Sequence, residues 1–140
     1  MGEIMPNYKY INHTADLGIE VKGKNLKELF INMGKAIFTT QISGKATIRS
    51  EISFRIESES LEDLLVDWCR ELLYCFSVKG FIPVSYNVSL VNFSVAARLK
   101  GDFFDAKRHK VKLEIKSPTY HNLSIKKHGG HYLATMILDV

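Results

Sequence analysis

Only two cysteines occur in the 140 residues, which excludes a disulfide scaffold. Cys69 and Cys75 fall six residues apart in a segment with helical periodicity. That spacing puts them about 9 Å apart along a helix axis, on faces roughly 120° apart. A disulfide needs Cα atoms within about 7 Å, so the two read as separate core thiols of a reducing compartment. No apolar run approaches the ~18 residues of a membrane span. The start, MGEIMPNYKY, lacks the basic and apolar regions of a secretory signal, and Pro6 stands where a myristoylation signal needs Ser or Thr. The expected location is the cytoplasm. Three prolines leave few forced breaks, and there is neither an internal repeat nor a low-complexity stretch. One domain over residues 1–140 is expected. Also missing are the nucleophile elbow, the phosphate-cradling glycine loop with lysine, the H-E-x-x-H pair and the C-x-x-C pair.

What is present is a chain with enough apolar material for a core, 46% hydrophobic against 24% charged. Nineteen Lys and Arg against fifteen Asp and Glu give a net charge of +4, compatible with an RNA or phosphate-bearing partner without demanding one. Tyr8–Ile11 and Gly18–Val21 read as strands around a polar loop. A helix follows, capped by Asn25 with Glu28 reaching back, and striped by Leu26, Leu29, Phe30, Met33 and Ile37. Gly34 inside it signals close packing.

Residues 47–57 alternate with the period of a half-buried strand. The clearest element is a second helix, begun by Ser60 with Asp63 and ended at Gly80, with Leu61, Leu64, Leu65, Trp68, Leu72 and Phe76 at helical spacing. Strands are then expected over 82–90, 92–100, 111–117, 122–126 and 131–139. Strands crowded late in the chain argue against β-α-β alternation. The expected fold class is α+β: a mostly antiparallel sheet with two main helices packed on one face.

Several polar groups are candidates for chemistry. His13-Thr14-Ala15-Asp16 and Thr119-Tyr120-His121 are polar clusters beside strand ends, although each histidine alone also suits a hydrogen bond to a loop carbonyl. His128-Gly-Gly-His131 reads as a glycine hairpin. Asp63, Asp67 and Glu71 form an i, i+4, i+8 stripe: a solvated face, a docking surface for a basic partner or, third, a metal pair at i, i+4. The basic run from Lys107 to Lys112 is either a charged hairpin tip or a phosphate contact. Lys116 comes directly before the Ser117-Pro118 break. Leu138-Asp139-Val140 is an apolar strand end with a carboxylate. Were Asp16 to join Asp139 there, the oxygens would suit Ca²⁺, Mg²⁺ or Mn²⁺ rather than zinc, but periodicity alone does not bring the two together.

The chain resembles the archease family over nearly its whole length, Tyr10 to Val140. The matching residues are His13-Thr14-Ala15-Asp16-Leu17-Gly18, Leu64 to Trp68, Glu71 to Tyr74, Gly101-Asp102 and Arg108-His109. The most specific stretch is Glu114 to Leu123, containing Lys116 and Thr119-Tyr120-His121, closed by Leu138-Asp139-Val140. Asn12 and Cys69-Arg70 depart from the family pattern.

The resemblance implies an accessory protein, not itself an enzyme, for an RtcB-type tRNA-splicing ligase. Such a protein promotes the ligase's GTP-dependent guanylylation and its multiple turnover. It also implies a divalent cation, Ca²⁺ first with Mg²⁺ or Mn²⁺ as alternatives, held by Asp16, Asp139 and an oxygen of Val140. Lys116 matches a position needed for activation, and His13, Asp67, Glu71 and His121 are pocket or docking candidates. RNA contact would be indirect, and no membrane is involved. Rival readings are a general chaperone or RNA-binding module, and a metal-dependent hydrolase using the same carboxylates.

Overall fold

The computed structural model describes residues 7–11 and 16–140. Both helices start where local capping chemistry places them. Asn25 accepts the Glu28 N–H at 2.8 Å and opens α1, Leu26–Gln41. Glu28 reaches back to the Lys24 N–H rather than to Asn25, one residue further than the reciprocal pair expected from spacing. Ser60 accepts the Asp63 N–H at 3.1 Å and opens α2, Leu61–Lys79. Gly80 closes α2 at φ 70°, a left-handed conformation that costs glycine nothing.

The strands are β1 (Tyr8–Ile11), β2 (Leu17–Gly23), β3 (Ile42–Ser43), β4 (Ser50–Glu57), β5 (Phe81–Val91), β6 (Ser94–Phe103), β7 (Lys110–Val111), β8 (Ser117–Pro118), β9 (Ser124–His128) and β10 (His131–Asp139). Every pairing is antiparallel, so the α+β class holds. The strands divide among three sheets instead of forming one. In the largest, β2 lies between β1 and β10, and the far edge of β10 takes β9 along its start and β8 at its end. The second is β4-β6-β5, and β3 with β7 makes a short ribbon.

Both helices stand between the two main sheets. α1 packs on β2, β10 and β5, while α2 packs on β8 and β9 and on β4, β5 and β6. This explains why α1 buries Ala36 and Phe38 as well as the stripe expected for a single face. Gly34 serves the crossing: an added Cβ would lie 2.9 Å from the Tyr86 ring and 3.1 Å from Leu72. At the centre, Trp68 is fully buried against Phe30 and Phe54 and donates its indole N–H to the Phe30 carbonyl at 2.8 Å. No helix among the described residues is long and apolar enough to cross a membrane.

The strand expected over 111–117 is mostly irregular. Three of its N–H groups are taken by one residue at the end of α1: the Gln41 carbonyl accepts from Lys112 and Leu113, and the Gln41 side-chain oxygen accepts from Ile115. Alternating apolar residues therefore line a strap rather than a ladder.

Candidate functional site

The largest sheet sets the site by register. Leu138 pairs with Leu17 on one side and Pro118 on the other, and Asp139 pairs with Ser117. The β2–β10 register ends at the Leu17–Leu138 pair, so Asp16 and Asp139 are the residues that directly adjoin that pair at the same sheet end. Ala134, Met136 and Leu138 of β10 face the core, so strand alternation sends Asp139 to the other face. Asp16, Asp139 and Val140 are all half-buried, and Val140 packs against the core.

Lys116 is joined to the same strand end through its backbone, its N–H donating to the Asp139 carbonyl at 2.8 Å. Its side chain is exposed and lines a cleft beside α2, and no carboxylate among the described residues engages its ammonium. Lysine and the aspartate pair thus meet at one sheet end but address different sides of it.

Thr119 fastens the next turn. Its N–H and hydroxyl both donate to the Ile137 carbonyl, at 3.0 and 2.8 Å. The exposed His121 follows, its N–H donating to the Thr119 hydroxyl at 3.2 Å. Tyr120 crosses to α2 and donates its hydroxyl to Asp63 at 2.7 Å, which holds the phenol above its ordinary pKa. This link between strand end and helix was not legible from spacing, because the partners are far apart in the chain. His13 lies outside the described residues.

The acidic stripe on α2 is largely partnered from within. Asp67 accepts from the Ser58 hydroxyl at 2.7 Å and from Arg70 at 2.8 Å. Glu71 lies 3.6 Å from the Cys75 sulfur. Burial, then the Glu71 charge, pushes the Cys75 thiol up to about 11, and burial raises Cys69 further. Neither thiol is a nucleophile at neutral pH.

Two residues of the basic run turn inward. Arg108 grips the fully buried Asp102 with two nitrogens, at 2.7 and 3.2 Å. The Thr47 and Phe103 N–H groups also donate to Asp102, and Arg49 lies 3.4 Å away. His109 accepts the Asp105 N–H on Nδ1 and faces the Lys45 carbonyl through Nε2, both at 3.0 Å, which places the neutral ring's proton on Nε2. These contacts correct the phosphate-contact reading for Arg108 and His109, which serve as structure.

Hydrogen bonds from Arg108 and from backbone N–H groups hold the Asp102 carboxyl well below the usual carboxylate range. A lowered folded-state pKa gives stability that is full above the unfolded value, about 4, and lost as pH falls through the folded one. The stability gap between wild type and Asp102→Asn is therefore expected to narrow as pH drops from about 5 to 2. Urea melts across that series would show it, and a constant gap would contradict it.

The Asp16 and Asp139 side chains offer only oxygen donors, the type a hard cation takes. Among the described residues, no three His, Cys, Asp or Glu side chains gather into an ion-holding group. Two side chains would therefore need a main-chain or terminal oxygen to complete a site.

Residues 8–140 match the model of the archease protein family (MTH1598/TM1083). The chain belongs to the archease family. A protein archease of Sulfurisphaera tokodaii is 30% identical over 139 residues, covering 97% of this chain and all of that one. The archease fold is equally evident in solved structures. The solution structure of Methanobacterium thermoautotrophicum protein 1598 superposes with a TM-score of 0.81 at 25% identity, covering 97% of this chain and all of that one. An archease crystal structure from Thermotoga maritima has a TM-score of 0.66 at 20% identity over the full length of both.

Proposed function

We propose that this chain is an accessory protein that activates an RtcB-type tRNA-splicing ligase by promoting its guanylylation and repeated turnover. Membership of the archease family supports the reading. The observation that carries it lies at one sheet end: Leu17 pairs with Leu138, the chain neighbours of Asp16 and Asp139, and the Lys116 N–H bonds the Asp139 carbonyl. Such an end joins negative oxygens to an exposed ammonium, with no activated nucleophile among the described residues, a layout suited to assisting another protein's phosphate chemistry.

In this reading Asp16, Asp139 and an oxygen of Val140 hold a divalent cation, Ca²⁺ first, which when bound supplies fixed positive charge for phosphate or carboxylate oxygens. Lys116 presents a compact ammonium to a negative group of the ligase. The half-buried setting of the aspartates excludes part of the water that would weaken these interactions.

The deciding experiment is RNA ligation with the ligase limiting, with and without this chain. Faster guanylylation and more turnovers per ligase are expected. Equal progress curves would refute the role, and salt-sensitive RNA binding without ligase would favour an RNA-binding module instead.

The cation is tested separately. Asp139→Ala is expected to weaken Ca²⁺ binding at least tenfold by calorimetry, about 1.4 kcal/mol. Unchanged affinity would remove Asp139 from the site.

A further inference from the structure

We propose that the cleft between the last turns of α2 and the 111–118 strap is the partner's anchoring slot, receiving an apolar side chain flanked by a carboxylate. The inference rests on the ligase-activator reading above and names the surface through which it works.

The cleft encloses about 670 Å³, a volume in the range of real ligand pockets. Its walls are apolar, with Leu73 and Phe76 from α2, Phe104, and Val111, Ile115 and Pro118 from the strap side. Tyr74 is 54% exposed and Val111 43%, so two large apolar groups at this cleft are left to water. Aromatic groups exposed beside a pocket are the usual anchors of protein interfaces.

Charge selects the guest. The cations lining the cleft are Lys116 and Arg70, and the acid is Glu114. Arg70 is occupied by Asp67, which leaves the Lys116 ammonium for an incoming carboxylate. Lys110 and Lys112 are exposed on the same strap and extend the positive field.

Gln41 supplies an independent sign. It is 2% exposed and lines the cleft, and its side-chain oxygen is fixed by the Ile115 N–H. Its amide nitrogen is buried and has no acceptor among the described residues. Buried donors without acceptors are rare in folded proteins. An acceptor carried in beside the apolar side chain would answer it.

The test measures binding of the intact chain to a purified RtcB-type ligase by surface plasmon resonance, alongside the ligation assay. Ser77→Trp fills the cleft from an exposed position, Tyr74→Glu puts a repelling charge there, and Val91→Glu makes a like change at the distant β5–β6 turn. Both cleft variants should melt like wild type and weaken binding at least roughly tenfold, whereas Val91→Glu should bind like wild type. Raising salt should weaken wild-type binding, as an acidic guest requires. Folded cleft variants that bind within about twofold of wild type would overturn the slot while the activator role stood. A concentration-dependent dimer abolished by Ser77→Trp would also overturn it, in favour of a second copy as guest. A wild-type chain that neither binds nor stimulates the ligase would remove the activator reading itself.

Discussion

Replacing Lys116 by alanine is expected to cut stimulation of ligase guanylylation at least tenfold, about 1.4 kcal/mol of lost stabilisation, while leaving the fold intact. The separation follows from how the residue is used. Its backbone N–H bonds the Asp139 carbonyl at 2.8 Å and survives the substitution. Its side chain is exposed and supports no core contact, so the effect on stability should stay within about 0.5 kcal/mol. Lys116→Arg should restore activity only in part, because a planar, forked guanidinium does not replace a compact ammonium. Guanylylation rates at saturating chain, with a thermal melt on each variant, make the measurement. A normally melting Lys116→Ala protein that stimulates like wild type would leave Lys116 without a role in activation.

Trp68→Ala is expected to be the most damaging single change to the fold, at about 3–5 kcal/mol. The indole is fully buried and bridges α2 to Phe30 of α1 and Phe54 of β4, with ring centroids 6.2 and 5.8 Å away. Its loss opens a cavity where both helices meet the second sheet, and it strips the Phe30 carbonyl of its 2.8 Å partner. Trp68→Phe keeps most of the volume but not the donor, so its cost should fall to about 1–3 kcal/mol. Urea denaturation would show lower midpoints with an unchanged slope. A midpoint for Trp68→Ala near that of wild type would mean that the core closes over the cavity, against the packing described.

Residues near each other in the chain settled much of this structure in advance. Asn25 and Ser60 cap helices because their oxygens reach an N–H three residues on, a contact the sequence spacing contains in full. β4 follows its alternation, and β10 matches the expected span 131–139. The free, buried thiols agree with their helical spacing.

Alternation failed over 111–117, since apolar residues at every second position do not say where the N–H groups between them are satisfied. Only the folded chain shows Gln41 taking the N–H groups of Lys112, Leu113 and Ile115, and Asp139 that of Lys116. Lys107 to Lys112 read as one charged run, yet the buried Asp102 selects Arg108 and leaves Lys110 and Lys112 outside. The carboxylates show the same division. Residue types suited to a hard cation are visible in the sequence at Asp16 and Asp139, whereas the two reach one sheet end only because β2 pairs with β10 up to Leu17 and Leu138. Local hydrogen-bond geometry is written into short spacings. Long-range register is chosen by which faces can be buried together, and no stretch of sequence holds that choice alone.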